Sequence, residues 1–185
     1  ILIIFFSPIF LLTSIFISIK DGLPIFNKQI RVGLHGENFT LYKFRTMKKN
    51  SHDLREGLKE FNEKSGPLFK MSEDPRFFKG AKYLRKLSLD ELPQLFNVLK
   101  GDMSLVGPRP LFPEDNEFYD HNYLRRLNVL PGITGLLQIN DRNTSSFEVW
   151  YKFDLEYIEN WNLLLDVKIL LKTPFALFKK NTLGK

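Results

Sequence analysis

The sequence predicts an α+β fold with an apolar N-terminal helix, a small β-hairpin and several later helices. Three observations carry this prediction. Residues 1–19 contain no charged side chain, and residues 24–47 alternate polar with apolar side chains on both sides of a glycine-containing turn. Residues 145–178 have aromatic and leucine side chains at helical spacing, mixed with lysines.

The composition fits one domain with a hydrophobic core and an anionic partner. The chain has 185 residues, a formal net charge of +6 and no cysteine, which excludes a disulfide framework. This charge suits nucleic acid, an anionic membrane surface or a nucleotide-sugar. No nucleic-acid-binding motif accompanies the basic residues, so we expect no nucleic acid partner. The histidines, His35, His52 and His121, have no metal-ligand spacing.

The N-terminal segment is predicted to be a membrane helix. At about 1.5 Å per residue, residues 1–19 just cross a hydrocarbon core of roughly 30 Å. Ser7 and Pro8 break this helix near its middle, which fits either a kinked span or a re-entrant helix. Basic residues follow soon afterwards, as the positive-inside rule expects of a cytoplasmic side. Because the chain begins at Ile1 rather than Met, we expect further residues to precede it.

Residues 24–47 predict a β-hairpin whose turn lies at residues 33–37. In its second strand, alternation places Lys43 and Arg45 on one face. That face is either solvated or an anion-binding surface, and the pattern alone favours the solvated alternative. Residues 48–66 are polar and charged, which predicts a helix and a loop on the surface, followed by a short strand at residues 67–71.

Two adjacent acids occupy the next predicted helix start. Ser88 and Glu91 have the spacing of a capping box, although Pro93 equally fits as the first helical residue one turn later. In either case Asp90 lies within a turn of a helix N-terminus, where carboxylates and bound phosphates are both stabilised. The acids either cap the helix or perform chemistry on a phosphate, and the pattern alone does not choose between these interpretations.

An arginine on a stiff support follows. Residues 100–102 predict a helix end and a turn, and a short apolar strand is predicted at residues 103–106. One glycine and two prolines then restrict the backbone around Arg109. A guanidinium held in this way suits bidentate phosphate binding.

The last third is predicted to be mainly helical. Residues 113–127 run from acidic to basic in the order that suits a helix dipole, and residues 131–135 predict a turn-rich loop. An aromatic stripe predicts a core-facing helix that starts at Ser145. Residues 162–178 fit amphipathic helices in a membrane interface, broken at Pro174.

Most of these segments together resemble a known family. The sequence is similar to the bacterial sugar transferases, the polyprenyl-phosphate phosphoglycosyl transferases that begin cell-surface glycan synthesis. The insert at residues 66–76 most resembles that of members that transfer a hexose 1-phosphate to undecaprenyl phosphate, typically galactose or glucose. The motifs that carry the resemblance are Ser7-Pro8, RVGLHG (31–36), YKFRTM (42–47), GPLFK and DPR (66–76), LRKLSLDELPQL (84–95), GDMSLVGPRP (101–110), PGITGLLQ (131–138) and YIENWNLLLDVKILLKT (157–173).

The resemblance implies a reaction. A UDP-sugar would bind together with Mg²⁺, and its sugar 1-phosphate would pass to polyprenyl phosphate with release of UMP. Asp90 would be the nucleophile that forms an aspartyl phosphosugar, and Glu91 would position the metal, which both acids would bind, or activate the acceptor. The substrate-binding residues that the resemblance implies are Lys43, Arg45, Arg85, Arg109 and Arg142.

The resemblance also implies a place at the bacterial inner membrane. Residues 1–20 would form the membrane-inserted helix, which the Ser7-Pro8 pair makes re-entrant in the small members of the family. Residues 21–185 would form a catalytic domain on the cytoplasmic face, with interfacial C-terminal helices in contact with membrane lipids.

Two departures from the family pattern leave other classes open. The family usually has a basic residue where Leu130 stands and a glycine where Asp141 stands. An aspartate there would either alter the loop geometry or repel an anionic donor, which weakens the assignment of Arg142. A membrane-bound phosphoester hydrolase would release free sugar phosphate without a lipid acceptor. An inactive membrane scaffold, in which the acids only cap a helix, would keep its function in an Asp90→Asn variant.

Overall fold

The computed structural model of the chain describes residues 1–49, 51, 71, 74–118, 120–142, 144 and 146–178. Most of the helix and loop predicted at residues 48–66 lies outside these residues, as does nearly all of the strand predicted at residues 67–71. His52, Ser145 and the GPLFK motif also lie outside them.

Helix α1 (Leu2–Asp21) is the one helix in the described part of the chain that is long and apolar enough to cross a membrane. Ser7 and Pro8, the predicted break, lie within this continuous helix. Pro8 has no N–H to donate to the Ile4 carbonyl, and the Ser7 hydroxyl donates to that carbonyl instead, at 2.7 Å. The helix therefore continues through the pair. Whether α1 spans a membrane or re-enters it stays a prediction.

The predicted hairpin consists of β1 (Phe26–Val32) and β2 (Asn38–Phe44), which are antiparallel. A 3-10 turn at Leu34–Gly36 joins them. The C-terminal half of α1 packs against this hairpin and against α2 (Ala81–Lys86). The buried members of this core cluster are Ile17, Phe44, Phe78, Ala81 and Leu84.

The segment between α2 and α3 (Gln94–Lys100) is a sharp turn rather than a capped helix start. Ser88 has a φ of 54°, and the three residues after it form a 3-10 turn. The capping-box prediction is wrong, because a capping residue needs β-region dihedrals and Ser88 has left-handed ones; its side chain makes no capping hydrogen bond. The alternative start is the better one, since Pro93 immediately precedes the first residue of α3.

Two short strands meet after α3. The predicted strand, β3 (Ser104–Val106), pairs in parallel with β4 (Gly132–Thr134), which lies where a loop was predicted. The two backbones approach so closely that a Cβ on Gly132 would lie 2.1 Å from the Gly107 nitrogen. Only glycine fits this contact, so the segment that carries Arg109 lies directly on the β4 segment.

The helix predicted at residues 113–127 is instead two 3-10 segments, Pro113–Phe118 and Tyr123–Asn128. The prediction is wrong because the chain starts a new turn at Asp120, whose carboxylate accepts a hydrogen bond from the Tyr123 N–H at 2.7 Å.

The remaining helices are α4 (Leu136–Asp141), α5 (Phe147–Glu159) and α6 (Leu163–Phe178). Pro174 lies inside α6, so the break predicted there is wrong. Buried Ile169 and Ala176, on either side of Pro174, pack into one core cluster and hold α6 together. The opposite face of α6 exposes an apolar row, as the amphipathic pattern predicts: Leu163, Leu164, Leu171, Phe175 and Phe178.

Candidate active site

Four charged side chains that the sequence singled out meet between β2, the 3-10 turn before α3 and the segment after β3. They are Lys43, Asp90, Glu91 and Arg109, and we call them the carboxylate pocket. Glu91 Oε1 accepts a hydrogen bond from Lys43 Nζ at 2.9 Å and another from Arg109 at 2.7 Å. The Glu91 side chain is 13% exposed, whereas that of Arg109 is 30% exposed. The arginine therefore still faces solvent after pairing with the acid.

Asn97 on α3 brings the two sides of the carboxylate pocket together. Its fully buried side chain accepts a hydrogen bond from the Tyr42 N–H at 3.0 Å and donates to the Thr40 carbonyl at 2.7 Å. The amide thus pairs with the edge of β2 that β1 does not occupy. Because Lys43 follows Tyr42 directly, this pairing places Lys43 next to Glu91.

Glu91 is held in its ionised form. Burial raises the pKa of its carboxyl, but the charges of Arg109 and Lys43 and their hydrogen bonds outweigh burial and hold that pKa well below its usual range. Burial lowers the pKa of Lys43 to about 8, although the Glu91 charge opposes this shift. Glu91 is therefore already paired with two cations, Lys43 and Arg109.

Asp90 differs from its neighbour. It is 8% exposed, and its carboxylate has no hydrogen bond or ion pair with any residue that the structure describes. Burial, and then the Glu91 charge, raise the pKa of Asp90, while Lys43, Arg85 and Arg109 lower it by less. Two adjacent acids thus have different surroundings, and the oxygens of Asp90 are available to a ligand.

The backbone around Arg109 is fixed by β4. The Gly107 N–H donates to the Thr134 carbonyl at 2.9 Å, and the Gly132 N–H donates to the Pro108 carbonyl at 2.8 Å. The glycine contact between these segments leaves no room for a shift towards β4. The arginine therefore projects from a rigid support.

Arg85 and Arg142 lie at the rim of the carboxylate pocket. The exposed Arg85 guanidinium lies 4.7 Å from the centre of the Phe77 ring, and its carbonyl accepts a hydrogen bond from Arg142 at 3.2 Å. A second Arg142 nitrogen, NH1, is buried without a partner among the described residues. Burial lowers the pKa of Arg142, although the nearby Glu91 and Asp90 charges raise it. Asp141 beside it is exposed.

Arg45, the fifth predicted substrate-binding residue, points elsewhere. Strand β2 ends at Phe44, so the alternation that placed Lys43 and Arg45 on one face stops one residue too early. The Arg45 guanidinium pairs with the Asp21 carboxylate. It also donates to the carbonyls of Asp21, Gly22, Pro24 and Met47 at 2.9, 2.7, 2.6 and 3.3 Å. We call these contacts the α1 junction. The structure does not bring Arg45 to the carboxylate pocket.

The predicted Mg²⁺ ligands are Asp90 and Glu91. No group of three or more His, Cys, Asp or Glu side chains that could hold a metal occurs among the described residues. Mg²⁺ commonly binds through one or two carboxylates and keeps waters or substrate phosphates as its other ligands. The free oxygens of Asp90, with one Glu91 oxygen that is not in its ion pairs, fit Mg²⁺ in that form.

Two buried arginines behind Arg109 were not predicted as site residues. The sequence explained Arg126 by the helix dipole alone and placed Arg31 only within a motif, yet both are buried. No sequence signal marks either one. Arg31 alternates with Ile30 and Val32 as a solvated strand residue does, and Arg126 follows another arginine that is exposed, Arg125.

The chain is similar over most of its length to known proteins. A model of the family described as "Bacterial sugar transferase" matches residues 1–180. The chain is 47% identical over 167 residues to the uncharacterized sugar transferase EpsL of Bacillus subtilis, covering 90% of this chain and 76% of EpsL. It is 41% identical over 172 residues to the exopolysaccharide production protein ExoY of Rhizobium meliloti, covering 91% and 76%.

A third relative is longer. The chain is 42% identical over 170 residues to the undecaprenyl-phosphate galactose phosphotransferase of Salmonella typhimurium, covering 88% of this chain and 35% of that protein. The chain therefore spans about three quarters of EpsL and ExoY and about a third of the Salmonella protein.

Proposed function

Because this chain belongs to the bacterial sugar transferase family, we propose that it transfers a sugar 1-phosphate from a UDP-sugar to polyprenyl phosphate. This step would be the first at the membrane in the synthesis of an exopolysaccharide, O-antigen, capsule or glycoprotein glycan. The observation that carries the proposal is the unequal pair of acids, since Glu91 already has two cations while the Asp90 oxygens have no partner among the described residues. The names of ExoY and of the Salmonella relative support the process and the lipid carrier.

The first chemical step would form a covalent intermediate. An oxygen of Asp90 attacks the phosphorus that bears the sugar, the bond from this phosphorus to the bridging oxygen breaks, and UMP leaves with the electron pair. The product is an aspartyl phosphosugar. This attack requires ionised Asp90. Burial and the Glu91 charge raise the pKa of Asp90, and the positive charges of Lys43, Arg85 and Arg109 oppose that rise.

The second step would transfer the phosphosugar to the lipid. An ionised oxygen of polyprenyl phosphate attacks the same phosphorus, and the bond to Asp90 breaks. The carboxylate is thereby regenerated and a pyrophosphate-linked lipid forms, with no net proton transfer. Glu91 orients Lys43 and Arg109, whose remaining N–H groups stabilise the charge on the phosphoryl oxygens. Mg²⁺ held by Asp90 and Glu91 would neutralise charge on the diphosphate.

The rim residues and the helices would bring the two substrates together. The exposed Arg85 guanidinium is a donor for an anionic nucleotide, and the Arg142 nitrogen that has no partner in the described part of the chain is a second. Helix α1 and the apolar row of α6 would hold the carboxylate pocket at the cytoplasmic face of the inner membrane, where a lipid acceptor meets a soluble donor. Arg45 serves this function by holding α1 rather than by touching the donor.

The test is the intact-protein mass after incubation with Mg²⁺ and each of several UDP-sugars, without a lipid acceptor, for protein in detergent or nanodiscs. We expect wild type to gain the mass of one phosphosugar and Asp90→Asn to gain none. The matched control, Glu148→Gln, neutralises an exposed carboxylate on α5 and is expected to gain the adduct.

The alternatives give different results in the same assay. UMP release that depends on polyprenyl phosphate without any adduct would keep the transfer but remove Asp90 as the nucleophile. Free sugar phosphate formed without the lipid would indicate the hydrolase. If the assay yields no adduct, no UMP and no free sugar phosphate, the result would indicate the scaffold.

A further inference from the structure

We propose that Arg126 and Arg31 are positioning residues that hold the backbone of Arg109 by hydrogen bonds to two consecutive carbonyls, and that they do so without touching substrate. The inference rests on the proposed function, in which Arg109 stabilises charge on the transferred phosphoryl group. It concerns residues on two separate elements, β1 and the 3-10 segment Tyr123–Asn128.

The contacts behind Arg109 converge on its main chain. The Arg126 guanidinium donates to the carbonyl of Arg109 itself, and Arg31 donates to the carbonyl of Pro110 at 3.2 Å. Arg126 is 4% exposed and Arg31 is 9% exposed. Neither guanidinium is therefore open to a soluble ligand, whereas Arg109 in front of them is partly exposed.

The composition of residues 108–111 explains why side chains are needed to bind the carbonyls of this segment. Two prolines flank Arg109 and have no N–H, so the segment cannot be held by a regular strand ladder. Its carbonyls are held one by one instead. The Pro108 carbonyl accepts from the Gly132 N–H at 2.8 Å and the Leu111 carbonyl from the Val32 N–H at 3.0 Å. The two buried arginines supply the donors for the two carbonyls between them.

Each arginine is itself fixed. Arg126 Nε donates to Asp154 Oδ2 on α5 at 3.1 Å, and the Tyr123 hydroxyl donates to the same oxygen at 2.9 Å. Arg31 donates to the Gln29 side chain at 2.8 Å, and its guanidinium carbon lies 3.3 Å from the centre of the Phe112 ring. The fork geometry of arginine allows one side chain to bind an anchor and a carbonyl together, which the single nitrogen of lysine does poorly.

This arrangement predicts a specific kinetic defect. Misplacing a catalytic group by about 1 Å lowers the rate by up to about a hundredfold. Arg126→Lys keeps the buried charge opposite Asp154 but loses the second donor. We therefore expect kcat to fall about tenfold or more, while the KM for the UDP-sugar stays within about threefold, because the rim donors are unchanged.

The experiment is a double-mutant cycle of Arg126→Lys with Arg109→Lys, measured as UMP release by the full chain with polyprenyl phosphate and the active UDP-sugar. If Arg126 acts through Arg109, Arg126→Lys lowers kcat about tenfold in the wild-type background and less than about twofold in the Arg109→Lys background. The matched control is Tyr123→Phe, which removes a hydrogen bond from the same Asp154 oxygen and leaves the donor to Arg109 in place. We expect it to keep kcat within about twofold of wild type.

Equal losses of kcat in both backgrounds would overturn the proposal, as would a loss in Tyr123→Phe that matches the loss in Arg126→Lys. If Arg126→Lys lacks a cooperative thermal transition, Arg31→Lys enters the same cycle for the second carbonyl, and failure of both to fold would also overturn a separable positioning role. Absence of transfer by wild type would instead contradict the proposed function. In that case the four proteins of the double-mutant cycle are compared by their affinity for UDP. A loss of affinity in Arg126→Lys that disappears in the Arg109→Lys background would support the positioning role, and equal affinities or equal losses in both backgrounds would overturn it.

Discussion

The carboxylate pocket and the α1 junction each contain an arginine that was predicted to bind substrate, and the two arginines have different partners. At the α1 junction the Arg45 side chain is 8% exposed, and its donors are all directed at Asp21 and nearby carbonyls. In the carboxylate pocket Arg109 pairs with Glu91 through one nitrogen and stays 30% exposed. The difference teaches that an arginine predicted to bind phosphate can serve a ligand only when the surrounding backbone leaves some of its N–H groups unpaired.

The largest effect on turnover is expected at Asp90 in the carboxylate pocket. We expect Asp90→Asn to lower the rate of UMP release by about a thousandfold or more, which corresponds to about 4 kcal/mol in the barrier. The melting temperature should stay the same or rise, because the change removes a buried charge that has no partner in the described part of the chain. UMP release and thermal unfolding are measured on the same preparation. A fall of several degrees with activity retained would return the acids to a helix-capping role.

The α1 junction should respond in the opposite way. Arg45→Met keeps the apolar stem but leaves the Asp21 carboxylate and four carbonyls without this donor, so we expect the free energy of unfolding to fall by about 3 kcal/mol. The protein that stays folded should keep its kcat. Denaturant unfolding in detergent measures the free energy of unfolding, and UMP release by the same preparation measures kcat. Full stability together with lost turnover would place Arg45 back among the substrate-binding residues.

Arg109→Lys is expected to lower turnover and to leave stability nearly unchanged, which is the reverse of Arg45→Met. Lysine retains the charge opposite Glu91 but presents one nitrogen instead of a fork, so we expect kcat to fall about tenfold to a hundredfold. Because the Arg109 side chain is partly exposed, stability should change by less than about 1 kcal/mol. A loss of stability as large as that of Arg45→Met would show that the two arginines have the same role.

The smallest effect is expected at a surface pair. Arg125 and Glu159 lie 2.9 Å apart with side chains 44% and 51% exposed. Arg125→Ala should therefore change the free energy of unfolding by less than about 0.5 kcal/mol and leave turnover unchanged. It serves as the baseline for both arginine variants, and a change in its turnover would assign a role to the surface of the 3-10 segment Tyr123–Asn128.

Features that depend on neighbours in sequence were predictable. The apolar run of α1, the alternation of β1 and β2 and the aromatic stripe of α5 each produced the expected element. Strand β4 was missed because its partner, β3, is distant in sequence, and a glycine-rich loop becomes a strand only through that pairing. The capping box failed at Ser88 because spacing does not reveal a left-handed backbone.

In the candidate site, too, contacts between distant parts of the chain could not be predicted from sequence spacing. The resemblance indicated Lys43, Glu91 and Arg109, and the structure brings these side chains together. Their spacing alone left a solvated face and a helix cap as alternatives, because the contacts that decide between them join β2, α3 and β4. Arg45 lay one residue beyond the end of β2, which no pattern marks. Arg31 and Arg126 were missed since burial of a cation depends on partners that lie elsewhere in the chain.

The contact between Gly107 and Gly132 also bears on when the protein acquires its site during synthesis. The hairpin joins residues that are close in sequence and closes early, whereas β3 has to wait for β4 and for the entropy of closing a long loop. A nascent chain that ends before β4 contains both carboxylates but lacks the support that fixes Arg109. We therefore expect the backbone of Arg109 to become fixed only after β4 has been synthesised.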